Sequence, residues 1–222
     1  MSEKSVREAI RQSLEISVWG VEYWPEKFID FNYDRFAAAA FSIANAHRQS
    51  ILILMTQDQR TSAFALFRPV LEASVAGEWF RFVANDELMK RALQIHTLPT
   101  TDSMIKALNK TDGGKRSLIT GIKPMLWETS SDFTHGGLRQ TSNWIKDGEI
   151  KSIHPDDELC EMLSILDILY IAALYSICQI SKGPVEKVLS KSKEVLDRYH
   201  EAKFIAKTSG GFVRFRGRQD LL

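Results

Sequence analysis

Two stretches of the chain carry side chains suited to acid–base or phosphate chemistry. Between Ala63 and Phe82 an otherwise apolar run holds Arg68 and Glu72, whose spacing of four puts them on one helix face. Trp79 falls seven residues further along that face, and Glu78 and Arg81 form an i, i+3 pair beside it. Charges in so apolar a setting need partners. They either form an ion-pair network that fixes helix register or mark a functional site. The second stretch runs from Trp127 to Gln140 and sets His135 at a helix end, just before Gly136 and Gly137. Unpaired carbonyls there favour an imidazolium, which suits an acid or base, although the same ring can simply cap those carbonyls. Arg68, Glu72 and His135 are therefore the candidate catalytic residues of one cleft. Trp79, Arg81, Thr134 and Gln140 are its candidate substrate contacts.

These residues carry a resemblance. Arg68-Pro69-Val70-Leu71-Glu72, then Glu78-Trp79 with Arg81, then Phe133-Thr134-His135-Gly136-Gly137 with Gln140 resemble a family of bacterial all-helical proteins of unknown function, over roughly residues 60–144. The resemblance implies a helical bundle and puts Arg68, Glu72 and His135 at motif positions; it brings no activity. A more distant similarity is to HEPN domains, helical bundles that often cleave RNA through an Arg-x(4–6)-His motif. Arg91 and His96 fit that spacing, with Ala92 where those nucleases often carry a polar residue. What that likeness implies is metal-independent cleavage, a histidine handling the 2′-hydroxyl proton and an arginine steadying the phosphate. Either Arg91 with His96 or Arg68 with His135 would fill those roles.

Other chemistry finds little support. The sequence has no Gly-rich phosphate loop, no Gly-x-Ser-x-Gly, no His-Glu-x-x-His and no Cys-x-x-Cys. His47, His154 and His200 lack ligand-like spacing, so neither a metal nor a cofactor is expected. The last residues interleave Phe212 and Phe215 with Arg214, Arg216 and Arg218, a composition that pairs with phosphates while stacking on bases, or docks on another subunit. Globally the charges cancel, with 29 Lys plus Arg against 28 Asp plus Glu, so no overall field marks a nucleic-acid or membrane binder.

The elements that must position these groups are helices. Val6, Ile10, Leu14 and Val18 recur every four residues and predict a first helix that starts after Ser2 and runs to about Trp19. A second is expected from about Tyr33 to Gln57. A third, capped by Thr61 or Ser62, should reach about Val83, with a kink or an unwound turn at Pro69. Asp86 is a plausible cap for a short helix ending near His96, Thr101 or Asp102 for another, and a further helix should run through Leu118 to Phe133. Asp147-Gly148, flanked by short alternating runs, signals a small hairpin between Trp144 and His154. Pro155 opens a long apolar helix that Gly183 ends, and Pro184 starts the last one, to about Lys207. Glu161 and Asp167 interrupt the apolar run and would be costly in hydrocarbon unless paired, which argues for a buried bundle helix rather than a membrane span. Cys160 and Cys178 lie too far apart along that helix for a disulfide and read as buried thiols.

The expected fold is all-α, a multi-helix bundle with a possible β-hairpin near 144–154. Residues 1–208 form one domain and 209–222 a basic, aromatic tail. The expected setting is cytoplasmic, because the amino terminus lacks the apolar core of a signal peptide and the cysteines read as reduced. Two functions fit: a non-enzymatic binding or regulatory protein that forms a homo-oligomer, or a HEPN-like ribonuclease acting as a toxin or phage-defence effector on RNA, with a protein antitoxin as partner.

Overall fold

A computed structural model describes residues 3–25, 33–95, 97–115, 119, 145–146, 149–150 and 154–206. Its helices are α1 (Glu3–Val21), α2 (Tyr33–Thr56), α3 (Arg60–Ala65), α4 (Phe67–Phe82), α5 (Asp86–Ile95), α6 (Thr101–Leu108), α7 (Asp112–Lys115), α8 (Asp156–Ser181) and α9 (Val185–Ala206). Two short strands, β1 (Ile145–Lys146) and β2 (Glu149–Ile150), pair antiparallel with Ile145 opposite Ile150. The fold is all-helical in its layers. Its core lies where α2 packs along α4 and where α8 packs against both α1 and α9.

α8 organises the bundle because its apolar residues face nearly every direction. Leu159, Leu163, Leu166, Leu174 and Ile177 are all buried, which requires neighbours on several sides. By length and composition α8 is apolar enough to cross a membrane, yet 72% of its most apolar window is buried within the fold. Its carboxyl end stops at Lys182, which takes the left-handed conformation at φ 57° and lets its N–H reach the Cys178 carbonyl. Pro155 stands at the other end as N-cap.

The stretch expected as one helix from Thr61 to Val83 is two. Proline has no N–H, and its ring crowds the carbonyl four residues back, which for Pro69 is that of Ala65. The chain yields there: α3 ends at Ala65, Leu66 makes a tighter bond to the Ala63 carbonyl, and α4 starts at Phe67. Gln59, not Thr61 or Ser62, occupies the cap position of α3. The caps further on also stand earlier than the sequence pattern placed them, at Asn85 rather than Asp86 and at Thr100 rather than Thr101 or Asp102. Asn85 Oδ1 accepts from the Leu88 N–H, and Thr100 Oγ1 accepts from the Ser103 N–H. Asp86 instead takes a short hydrogen bond from the Tyr33 hydroxyl, tying α2 to α5.

α1 departs from its expected stripe. Val6 and Ile10 are buried, but Val18 is 74% exposed and Leu14 faces outward as well. A four-residue step overshoots one helical turn by about 40°, so such a stripe drifts off the contact face. The buried line continues instead through Ser13, Ile16 and Ser17. The two serines are there to serve a charge pair.

Candidate ligand-binding cleft

That pair is Arg48 and Asp167, joined at 2.6 Å with both side chains almost wholly buried. Asp167 also accepts from Ser13 Oγ at 2.8 Å, and Arg48 donates to Ser17 Oγ at 2.6 Å and to the Ser13 carbonyl at 2.9 Å. The guanidinium lies 4.5 Å from the centre of the Tyr170 ring. Burying two charges costs several kcal/mol per ion unless hydrogen bonds and mutual attraction offset it, and here both do. The arrangement joins α1, α2 and α8. It is closed to solvent and offers a reactant no approach.

A second polar group opens onto a cleft of about 450 Å³ between α4, α7, α8 and α9. Glu78 is 4% exposed at its wall, and its Oε1 accepts from Ser176 Oγ at 2.9 Å. Oε2 takes no hydrogen bond from the described residues. Burial pushes the Glu78 carboxyl above its ordinary value, and the Ser176 hydrogen bond and the nearby Arg81 charge only partly oppose that. Arg81 donates to Ser176 Oγ at 2.9 Å and to Gln179 Oε1 at 2.5 Å, and its guanidinium lies 4.7 Å from the centre of the Phe82 ring. Phe82, Ile171, Ala172, Tyr175 and Leu189 give the cleft its apolar walls. Gly113 of α7 lets the Phe82 ring come closer than any Cβ would permit, 2.4 Å from where that atom would stand.

The sequence-derived candidates fall in different places. Arg81 lines the cleft. Arg68 and Glu72 form an ion pair of 2.9 Å on the outer part of α4, with side chains 20% and 41% exposed. Trp79 is 2% exposed and packs edge-to-face on Phe80, within the core. Its seven-residue offset does keep it near the face of Glu72. The bundle, however, closes around α4 from Ser74 onward, and that changes the surroundings along one face. Arg91 is exposed on α5, while His96 lies outside the described residues. So do Thr134, His135, Gln140, Arg214, Arg216 and Arg218, and with them the histidine of the expected catalytic trio and the basic tail.

Sequence reasoning paired Glu78 with Arg81 but missed Ser176 and Gln179, their partners nearly a hundred residues away. The available signal was their spacing: Ile171, Ala172, Tyr175, Ser176 and Gln179 recur on one side of α8. His154, set aside for lack of ligand spacing, is buried. Its ring stacks on Phe64 with centroids 4.7 Å apart, and its Nε2 lies 3.2 Å from Thr61 Oγ1. Arg60 bonds both the His154 carbonyl and Asp156, so this cluster fastens the entry of α8 to α3. Among the described residues no three His, Cys, Asp or Glu side chains are grouped to hold a metal ion. Both cysteines are buried, and burial raises the Cys178 thiol above its ordinary value, which suppresses the reactive thiolate.

The protein is thus an all-helical bundle with one sealed charge pair and one polar pair facing a cleft. Over residues 41–201 it matches the family of unknown function DUF6988, and it belongs to that family. No curated protein and no solved structure matches the chain.

Proposed function

We propose that this protein is a non-enzymatic binding protein that takes a small organic molecule into the cleft between α4, α7, α8 and α9. The observation that carries this reading is Glu78: a carboxyl buried at the wall of a cleft of about 450 Å³, with one oxygen that takes no hydrogen bond from the described residues. Ligand pockets are typically concave, mostly apolar and of roughly 300–1,000 Å³, with a few polar groups that fix orientation. The cleft has that volume and that division of labour.

The test is a fragment screen followed by methyl-selective NMR. Shifts concentrated at Ile171, Ala172 and Leu189, and abolished by filling the cleft with Ala172→Phe, are expected. Shifts scattered over the surface, or none with any fragment, would overturn the proposal. The competing reading, a metal-independent HEPN-like ribonuclease, draws on the Arg91 and His96 spacing. It would replace this one if the protein cleaves labelled RNA without metal and Arg91→Ala abolishes that cleavage while Glu78→Gln does not.

A further inference from the structure

Resting on that reading, we infer that the cleft selects neutral molecules carrying a carboxamide-like edge on an apolar ring: a group presenting an N–H donor beside a carbonyl acceptor. Glu78 and Arg81 stand together at the wall, each anchored by Ser176. Glu78 Oε2 is free to accept one hydrogen bond. Arg81 commits one donor to Ser176 and one to Gln179, leaving its other N–H groups for a ligand. At a pH above the folded-state pKa of Glu78, an acceptor-only carboxylate and a donor-only guanidinium, side by side, match a donor and an acceptor held in one plane. An amide supplies that pair.

Charge narrows the choice further. A cationic ligand drawn to Glu78 would lie against Arg81, and an anionic ligand drawn to Arg81 would lie against Glu78. Each gains one attraction and meets one repulsion in a partly desolvated place where both are strong. A neutral amide meets neither repulsion. Phe82 and Tyr175 flank the polar pair, so a flat ring attached to the amide would rest on aromatic surface.

Three probes of nearly equal shape and different charge test this: benzamide, benzamidinium and benzoate, each titrated into the full chain while the Ile171, Ala172 and Leu189 methyl signals are followed. Benzamide should bind most tightly. Its affinity should fall by about tenfold in Glu78→Gln, which removes a hydrogen bond to a charged acceptor. Saturable binding of benzamidinium or benzoate in preference to benzamide would overturn the inference and leave the cleft as a binding site. Failure of all three, along with every other fragment, would overturn the site itself.

A separate observation carries a second inference. Asn45 Oδ1, Arg48 Nε and Ser74 Oγ make no hydrogen bond within the fold, and all three residues line one cavity of about 10 Å³ between α2, α4 and α8. Buried polar atoms left alone cost about 1–3 kcal/mol each, and a space of about 10–15 Å³ with two to four polar partners holds one water. The geometry points to a single internal water that accepts from Arg48 and bridges to Asn45 and Ser74. A high-resolution crystal structure of the wild-type chain should show it within hydrogen-bonding distance of all three atoms. A cavity without density, or side chains turned to protein partners, would overturn it.

Discussion

Asp167 and Glu78 are both carboxylates on the inner faces of helices, and the bundle treats them in opposite ways. Asp167 is met by a full positive charge and by a serine, each of its oxygens taken. Glu78 is met by one serine hydroxyl, with Arg81 near enough to attract it but committed to Ser176 and Gln179. One carboxylate is sealed where three helices meet, and the other stands at the edge of a cleft. The difference teaches that a buried charge is not by itself a sign of function. What separates scaffold from site is whether the fold completes the hydrogen bonding of that charge or leaves part of it for something else.

The comparison can be broken at its strongest point first. Asp167→Ala should lower stability by about 3–5 kcal/mol in denaturant unfolding, because it leaves Arg48 charged and buried. The double variant Arg48→Met with Asp167→Leu should recover most of that loss, since removing both charges also removes both desolvation costs. If the double variant is as unstable as the single one, the pair is not the unit that matters. Next in size is Gly77→Ala. A methyl there would sit 2.4 Å from the Phe41 ring, where α2 packs on α4, and the overpacking should cost about 1–3 kcal/mol in the same assay. Smallest is Arg68→Ala. Its i, i+4 pair with Glu72 is 20% exposed at Arg68 and 41% at Glu72, and losing that pair should change stability by about 0.3–0.5 kcal/mol. A larger loss would move Arg68 from the surface to the framework.

Helices with strong punctuation were legible from the sequence. Tyr33 to Thr56 was readable from its alanine-rich run, the length of α8 from Pro155 and Gly183, and the interruption near Pro69 from the chemistry of proline itself. Asp167 could be read as needing a partner. Arg48 could not be named as that partner, because the 119 residues between them leave no local pattern. The same limit hid Ser176 and Gln179 from Glu78 and Arg81. In α1 the every-fourth-residue rule chose Leu14 and Val18, while the bundle buried Ser13 and Ser17, which hydrogen bonding rather than hydrophobicity selects. The burial of Trp79 was hidden for a related reason: sequence spacing shows which residues share a face, not how far along a helix that face is covered.

The most direct test of this division sets Asp167→Asn beside Glu78→Gln and follows thermal unfolding as a function of pH. Glu78 has a folded-state pKa above its ordinary value of 4.5. Its stabilising contribution is therefore complete below that ordinary value and is lost as pH rises through the folded-state pKa. Glu78→Gln keeps the hydrogen bond from Ser176 and cannot ionise, so above that pKa it should melt at a higher temperature than the wild type, and the gap should close in acid. Asp167→Asn, which leaves Arg48 without its counter-charge, should melt lower. Opposite signs at alkaline pH are the expected result; a Glu78→Gln protein destabilised there like Asp167→Asn would contradict the account and make Glu78 part of the scaffold.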